Sequence, residues 1–272
     1  MSGSDLLGAR ALRELLARGG VHPKKRYGQN FVVDPNTIRK VLDVAALDER
    51  SHVLEIGAGV GSLTLGLSTA ARRVTAIEID ERLLPLLRES VGERGNVEIV
   101  HADIMRLDLA RVEADAAVAN LPYNLAASIV LKLLFEATSV RSLTVMAQRE
   151  VGERLVASPG SKIYGQTSVL LAFHASARVA ARVSRRAFYP VPDVDSVLVR
   201  IDRRPAPEVD EERFREVVRM AFAQRRKTLR NSLSQLGPDL SRAFGAAGID
   251  PDARAETVDL DRYVALAREL ER

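Results

Sequence analysis

The hydrophobic residues between positions 52 and 147 follow two alternating patterns. Short apolar runs that favour β-strands cover His52–Ile56, Arg73–Ile79, Val97–Val100, Asp115–Ala119 and Ser142–Ala147. The segments between them repeat apolar residues at helical spacing, around residues 62–71, 80–91 and 125–137. Because strands and helices alternate along the chain, we predict an α/β fold with a Rossmann-like mixed sheet, mostly parallel, and helices on both faces.

The C-terminal part of the chain has a different pattern. Val194–Ile201 alternates apolar and polar residues and predicts a late strand, and the two prolines of Arg203–Asp210 are typical of a linker. Beyond the linker only helical spacing remains, as in Phe214, Val217, Val218, Ala221 and Phe222. We therefore predict one large domain over residues 1–204 and a small all-helical domain over residues 205–272.

The first 20 residues combine arginines with leucines, as a transit peptide would. The acids Asp5 and Glu14 argue against that interpretation, because transit peptides avoid acidic residues. Leu12, Leu15 and Leu16 recur at helical spacing, so we predict an amphipathic helix instead.

Composition excludes several classes of site. The chain has no cysteine, which rules out disulfides and thiolate metal ligands and fits a cytoplasmic protein. Its four histidines lack metal-binding spacing, and its apolar runs are far shorter than a membrane span. We therefore expect no bound metal and no membrane segment, and nothing in the sequence requires more than a monomer.

A glycine-rich turn follows the first strand of the predicted sheet. Gly57, Gly59 and Gly61 form a GxGxG pattern that opens a helix, and glycines there let a ligand approach the backbone closely. A dinucleotide fingerprint would place its third glycine at position 62, which is a serine. The pattern favours S-adenosylmethionine, while a nicotinamide or flavin nucleotide remains the alternative.

Two acids follow the next strands. Glu78 ends the second strand, 21 residues after Gly57, where a carboxylate can accept hydrogen bonds from ribose hydroxyls. Asp103 follows the third strand, where it could accept a hydrogen bond from an adenine amine or simply cap a turn.

The tetrapeptide Asn120-Leu121-Pro122-Tyr123 stands at the carboxyl end of a predicted strand, the edge where open α/β sheets bind ligands. The Asn120 side-chain oxygen and a main-chain carbonyl near Leu121 or Pro122 could accept both hydrogens of an adenine amine. That would direct the nitrogen lone pair at a methyl donor, with Tyr123 as a ring face for the base. By itself, the tetrapeptide could equally be an ordinary turn.

Positive charge is clustered, although the formal net charge is only +4. From Arg219 to Arg230 there are five basic residues and no acid, and a second basic run precedes the predicted sheet. Clustered positive charge suits a polyphosphate partner, although most such runs are solvated helix faces. The candidate RNA-binding residues are Lys24, Lys25, Arg26, Arg225, Arg226, Lys227 and Arg230.

Several motifs occur in a fixed order along the chain. They are YGQNF (27–31), VLEIGAGVGSLT (53–64), IEID (77–80), NLPYN (120–124), QREV (148–151), SKIYG (161–165), AFYPVPDVDS (187–196) and FAQRRKTLRNSL (222–233). From about Lys24 to the C-terminus, the chain thereby closely resembles the bacterial KsgA/RsmA-type 16S ribosomal RNA adenine N6,N6-dimethyltransferase family.

The resemblance implies a class I methyltransferase that binds S-adenosylmethionine. It further implies dimethylation of two adjacent adenosines near the 3′ end of 16S ribosomal RNA, in the 30S subunit or its precursor, during subunit biogenesis. Residues 1–34 would cover the cofactor site, and Tyr123 and Phe188 would sandwich the target adenine. The residues implied for the cofactor are Asn30, Val32, Gly57, Gly59, Glu78, Asp103 and Asn120, and those for catalysis are Asn120, Leu121, Pro122, Tyr123 and Phe188.

Three positions depart from the family pattern. Ala58 stands where proline is common, Val32 where leucine is common, and Asp193 where lysine is usual. The last change puts an RNA contact at that position in doubt.

Two other functions compete with this one. A 23S ribosomal RNA methylase of the erythromycin-resistance type shares the catalytic motif, but the RRKTLRN segment favours the small-subunit branch. A non-catalytic ribosome assembly factor on the same scaffold should have lost the glycine turn or the Asn-Leu-Pro-Tyr turn, and both are intact.

Overall fold

The computed structural model describes residues 6–24, 28–224, 226–237 and 240–271. Within them lies a seven-stranded sheet, formed by β2 (His52–Ile56), β3 (Arg73–Glu78), β4 (Val97–His101), β5 (Ala116–Asn120), β6 (Ser142–Gln148), β7 (Ala175–Val183) and β9 (Ser196–Arg203). The strand order is β4-β3-β2-β5-β6-β9-β7. The first five strands in this order pair in parallel, and β9 runs antiparallel to β6. The predicted mixed and mostly parallel sheet is confirmed.

A separate two-stranded ladder pairs residues that are far apart in the sequence. Its strands are β1 (Phe31–Val32) and β8 (Phe188–Tyr189), which run antiparallel with Val32 opposite Phe188. Hydrophobic periodicity does not reveal strands of two residues, so neither strand was predicted.

Helices cover the sheet, and further helices follow the linker. They are α1 (Ala9–Arg18), α2 (Pro35–Ala45), α3 (Ser62–Ala70), α4 (Leu84–Val91), α5 (Ala126–Glu136), α6 (Arg149–Leu155), α7 (Gln166–His174), α8 (Glu211–Phe222), α9 (Leu229–Ser232), α10 (Leu240–Ala246) and α11 (Leu260–Glu269). Among the helices described, none is both long and apolar enough to cross a membrane.

The N-terminal amphipathic helix is confirmed as α1. Leu12, Leu15 and Leu16 are buried against a cluster that includes Val60 and Leu83. The next helix, α2, was not predicted, although its start has a clear signal. The Asp34 carboxylate accepts hydrogen bonds from two main-chain N–H groups of the first turn, and Pro35 occupies the first helical position.

The side chain of Arg203 closes the end of α5. Its guanidinium donates hydrogen bonds of 2.8–3.2 Å to the main-chain carbonyls of Leu133, Leu134, Ala137 and Val140. The Leu133 and Ala137 carbonyls also accept main-chain N–H groups, whereas those of Leu134 and Val140 accept only from Arg203 among the described residues. A single cation from β9 therefore pairs carbonyls that the end of a helix leaves without partners.

The chain divides into two compact units, whose boundaries differ from the predicted ones. The sheet unit contains the described residues within Met1–Gly152 and Arg178–Arg203, and the helical unit contains those within Glu153–Ala177 and Arg204–Arg272. The prediction assigned residues 153–177 to the large domain, whereas the structure groups them with the C-terminal helices.

Aromatic and polar contacts explain this grouping. The ring of Phe173, in α7, stacks on Phe214 of α8 with 4.3 Å between the ring centroids. The Tyr164 hydroxyl donates a hydrogen bond to the main-chain carbonyl of Val258. Burial of α7 against α8 therefore determines the unit to which this segment belongs.

Candidate active site

A pocket opens at the carboxyl edge of the sheet, where β2, β3, β4 and β5 end side by side. The pocket is partly open to solvent, and the cavity within it has a volume of about 100 Å³. Seven residues predicted to bind the cofactor or to act in catalysis line it, which are Asn30, Gly57, Gly59, Glu78, Asp103, Asn120 and Pro122. The strand order explains why residues so distant in sequence meet here.

The glycine turn forms one wall of the pocket. The N–H groups of Gly57 and Ala58 donate to the main-chain carbonyl of Ile77, which ties the turn to the end of β3. Gly59 has a φ of +61°, and a Cβ there would lie 2.9 Å from the ring of Phe31. Any side chain at position 59 would be strained and would displace Phe31, so the backbone forms the pocket wall.

Glu78 is the last residue of β3 and is 5% exposed. Its Oε2 accepts a 2.7 Å hydrogen bond from the Gly59 N–H, and its Oε1 accepts one of 2.8 Å from the Asp80 N–H. Burial raises the pKa of Glu78, and the two main-chain N–H groups oppose this rise. Each carboxylate oxygen keeps a second lone pair, so Glu78 can still accept hydrogen bonds from ligand hydroxyls.

Asp103 serves as a turn residue and also lines the pocket. Its Oδ1 accepts a hydrogen bond from the Met105 N–H at 2.9 Å, and its carboxylate lies 3.5 Å from the Arg106 guanidinium. The turn role is therefore confirmed, and the contact with an adenine amine stays a prediction.

Asn120 ends β5, and its side-chain amide has a defined orientation. Its Nδ2 donates a 2.7 Å hydrogen bond to the main-chain carbonyl of Asn30. Because a carbonyl accepts only from the NH₂ end of an amide, this contact leaves Oδ1 as an acceptor at the pocket. Of the two main-chain carbonyls that follow, that of Pro122 already accepts a hydrogen bond from the Leu125 N–H.

Tyr123 follows the pocket residue Pro122 but does not itself line the pocket, and it is partly buried. Burial raises the pKa of its phenol, the nearby Ser196 hydroxyl opposes the rise, and the charge of Asp193 adds to it. Asp193 itself is exposed.

The side chains of three predicted site residues are buried in the interior, although the predicted role of one of them, Leu121, concerns its main-chain carbonyl. Val32, Leu121 and Phe188 are each 2% exposed, and Val32 and Phe188 belong to one core cluster. Successive residues of a strand face opposite sides, so β8 turns Phe188 inward, while the adjacent Tyr189 packs beneath the Arg13 guanidinium. The motif alone did not show which aromatic ring of this strand faces the core.

Several apolar residues and one polar residue that line the pocket were not predicted from the sequence. Ile79, Ile104 and Leu125 line it, and Ile79 and Leu125 are unusually exposed for their residue type. Gln29 also lines it and belongs to the YGQNF motif, which was the available signal.

Glu55 lies beneath the glycine turn and is 1% exposed. Neither carboxylate oxygen has a hydrogen-bond partner within the described structure. Burial raises the pKa of Glu55 from its usual 4.5 to about 8; the nearby Thr64 hydroxyl opposes the rise and the charge of Glu78 adds to it. Glu55 is therefore protonated at neutral pH.

The basic residues fall into different parts of the chain. Lys24 is partly buried in the sheet unit, whereas Arg226, Lys227 and Arg230 are exposed in the helical unit. Arg230 pairs with Asp252 at 3.4 Å. The predicted RNA-binding residues Lys25, Arg26 and Arg225 lie outside the described residues. Within the described ranges, no group of three or more metal-ligating side chains could hold a metal ion.

Comparison with known proteins identifies the family. The family described as "Ribosomal RNA adenine dimethylase" matches residues 21–272. The chain belongs to this family. Membership confirms the predicted resemblance and makes this dimethylase a methyltransferase that modifies ribosomal RNA.

Two bacterial relatives extend the match over nearly the whole chain. The dimethylase is 42% identical over 276 residues to "Ribosomal RNA small subunit methyltransferase A" of Geobacillus thermodenitrificans, covering 95% of this chain and 94% of the relative. It is 39% identical over 284 residues to the protein of the same name from Bacillus cereus, covering 98% and 97%.

Solved structures support the fold. A dimethyladenosine transferase from Plasmodium falciparum, 22% identical, superposes with a TM-score of 0.73, covering 87% of this chain and 95% of that one. The 23S rRNA methyltransferase ErmE, 29% identical, superposes with a TM-score of 0.70, covering 89% and 100%.

Proposed function

We propose that this dimethylase transfers methyl groups from S-adenosylmethionine to the exocyclic amines of two adjacent adenosines near the 3′ end of 16S ribosomal RNA. The observation that carries the proposal is the Asn120 amide, held at the carboxyl edge of the sheet with an oxygen that accepts no hydrogen bond from the described residues. Family membership and the small-subunit relatives support the substrate.

The pocket residues fit the proposed cofactor. The carboxylate of Glu78 has lone pairs for ribose hydroxyls, and Asp103 can accept a hydrogen bond from an adenine amine. Ile79 and Ile104, which line the pocket together with Asp103, supply apolar surface for a flat ring. When bound, S-adenosylmethionine supplies an electrophilic methyl group.

The chain activates the target by positioning it. An adenine amine is a poor nucleophile because its lone pair is delocalised into the ring. Asn120 Oδ1 can accept one N–H of the amine, and the Leu121 carbonyl, which accepts no hydrogen bond from the described residues, can accept the other. Two acceptors favour a tetrahedral nitrogen whose lone pair points into the pocket. In each transfer the nitrogen would gain the methyl group as the bond between that group and the sulfonium sulfur breaks, leaving a thioether, and the nitrogen would release one proton to water.

An amide can fill this role as a neutral group. It accepts a hydrogen bond without placing a full negative charge beside the nucleophile. Tyr123 offers a ring face on which the extruded base can stack. Phe188 would have to leave the core to supply a second face.

Substitution of Asn120 tests this role. We expect Asn120→Ala to lower the rate of methyl transfer by about a hundredfold or more, as loss of an oriented electrostatic contact does. S-adenosylmethionine binding should persist, since Glu78 and the glycine turn remain. The assay is transfer of labelled methyl groups to 30S particles, with dimethyladenosine located by mass spectrometry.

The matched control is Asn36→Ala, at an exposed asparagine on α2. Near-normal turnover by Asn120→Ala would refute the proposed role of the amide. If the wild-type protein modifies no adenine in small-subunit RNA or particles, the proposed function itself is refuted.

A 23S ribosomal RNA substrate is the second candidate, and the structural likeness to ErmE favours it. Competition between small-subunit and large-subunit RNA separates the two candidates, because methyl groups should appear on only one of them.

We further propose that the exposed side chains of Arg226, Lys227 and Arg230 contact RNA phosphates. Each lost phosphate contact should flatten the plot of log affinity against log salt by about one unit at most. Changing all three to glutamine should therefore weaken RNA binding and lower the slope by about two to three. The same change at Lys40, Arg50 and Arg111, which are also exposed, is the control. An unchanged slope would show that the first three residues are only solvated.

The remaining expectations follow from the substrate. We propose that the partner is 16S ribosomal RNA within the 30S subunit or its precursor, that the protein acts on it in the cytoplasm, and that it acts as a monomer. Sedimentation of the protein with and without 30S particles tests both the partner and the oligomeric state.

A further inference from the structure

Residues 28–31, here called the strap, run along the pocket, and every one of them lines it. Gly28 has a φ of +59°, and a Cβ there would lie 3.0 Å from the Pro122 Cβ and 3.3 Å from the Tyr123 nitrogen. At the other end of the strap, Phe31 covers Gly59. The strap therefore touches both the catalytic tetrapeptide and the glycine turn.

The Gln29 side chain fixes the middle of the strap. Its Nε2 donates a 2.8 Å hydrogen bond to Asp80 Oδ2, and its Oε1 accepts one of 2.8 Å from the Lys24 N–H. Asp80 is 4% exposed and is also held by the Arg82 guanidinium. Both ends of the Gln29 amide are thus satisfied by groups outside the strap.

These hydrogen bonds, together with the peptide link between Gln29 and Asn30, form a continuous path. It runs from the Asn120 amide to the Asn30 carbonyl, through the adjoining Gln29 side chain to the Asp80 carboxylate, and through the Asp80 N–H to Glu78. Glu78 is the carboxylate proposed to hold the cofactor ribose. The two functional ends of the pocket are therefore joined through one glutamine.

We propose that Gln29 is a positioning residue, which holds the Asn30 carbonyl in place and thereby sets the orientation of the Asn120 amide. The inference rests on the proposed function, because it concerns the acceptor that activates the adenine amine. If the Asn30 carbonyl moves away, no other hydrogen bond among the described residues distinguishes the two ends of the Asn120 amide. A rotated amide would present N–H groups to the amine, and two donors cannot form a hydrogen bond with each other.

A swap of donor and acceptor tests the inference. Gln29→Glu keeps the size of the side chain but places an oxygen against the Asp80 carboxylate, so the bond is lost. In the double variant Gln29→Glu with Asp80→Asn, the new amide donates to one oxygen of the new carboxylate. Arg82 then keeps its hydrogen bond to Oδ1 of residue 80 and loses the one to Oδ2, a loss that is common to both proteins of the Asp80→Asn background. The second oxygen of that carboxylate still accepts from the Lys24 N–H. The double variant also has the net charge of the wild type.

The measured quantities are the single-turnover methylation rate and the dissociation constant of S-adenosylmethionine. We expect Gln29→Glu to lower the rate about tenfold, the effect of losing one oriented hydrogen bond, with a smaller change in cofactor affinity. In the Asp80→Asn background, the same substitution should lower the methylation rate far less. Asn36→Asp, which adds one negative charge at an exposed position of α2, is the control.

A second readout does not depend on activity. In the protein without cofactor, hydrogen exchange of the segment that contains the strap should be faster in Gln29→Glu and should return toward the wild-type rate in the double variant. If no wild-type methylation of adenine is found, the proposed function fails, while the exchange data still report on the Gln29–Asp80 contact.

Two results would overturn the inference. One is an equal loss of methylation rate when Gln29→Glu is made in the wild type and in Asp80→Asn, since that result excludes an action of Gln29 through Asp80. The other is a loss of cofactor affinity as large as the loss of rate, which would make Gln29 a direct ligand rather than a positioning residue.

Discussion

Replacement of Glu55 by glutamine should abolish one component of the pH dependence of stability. In the unfolded chain the Glu55 carboxyl is ionised above its usual pKa of 4.5, whereas in the folded protein it keeps its proton up to about pH 8. Folding therefore takes up a proton between these two values. The stability that Glu55 contributes is complete below pH 4.5, declines as the pH rises, and is lost above about pH 8.

The size of the effect follows from the two pKa values. A proton that is bound only in the folded state gives a slope of about 1.4 kcal/mol per pH unit. Between pH 5.5 and pH 7.5, Glu55 should therefore cost the protein about 2–3 kcal/mol of unfolding free energy, out of about 5 kcal/mol over the whole window. Glutamine has nearly the same shape and never ionises, so Glu55→Gln should be the more stable protein at pH 8.

The assay is urea unfolding followed by circular dichroism at several pH values between 5 and 8. All other titrating groups are common to the two proteins, so the difference between their unfolding free energies isolates Glu55. Glu93→Gln, at an exposed glutamate, controls for the loss of one carboxyl group. Parallel pH profiles for the wild type and Glu55→Gln would show that Glu55 is not protonated in the folded state, and the reasoning from its burial would then be wrong.

Two further substitutions test the packing. Gly152→Ala should destabilise the fold by about 1–3 kcal/mol, because the new Cβ would lie 2.2 Å from the Val197 Cγ2. Gly245→Ala, in open space on α10, should instead stabilise the fold by up to about 1 kcal/mol. Melting temperatures that shift in the same direction for both variants would contradict this pair of predictions. Arg203→Met should lower the unfolding free energy by about 2–4 kcal/mol, because four carbonyls at the end of α5 lose a charged donor; a melting temperature within a degree of the wild type would refute that.

The sequence was informative where structure depends on neighbouring residues. The five parallel strands have strong apolar runs, and the glycine turn and the Asn120 tetrapeptide follow such strands directly. Because parallel strands end at one edge, the meeting of Gly57, Glu78 and Asn120 at a single pocket could be expected from the order of the elements alone.

Features that depend on distant pairing could not be predicted in this way. The ladder between β1 and β8 joins segments more than 150 residues apart, and it is this pairing that turns Phe188 toward the core. The hydrogen bond between Asn120 and Asn30 spans 90 residues. Residues 175–183 have an irregular burial pattern, as expected for a strand at the sheet edge, so β7 gave no clear alternation.

The helical unit is assembled from two stretches of chain that are separated by part of the sheet unit. A cut in the linker would therefore not release it whole, because Phe214 would part from the Phe173 ring on which it stacks. For the same reason, recombination between homologous genes cannot exchange this module as a single cassette. Both of its coding pieces have to come from the same parent, or their aromatic packing has to be rebuilt.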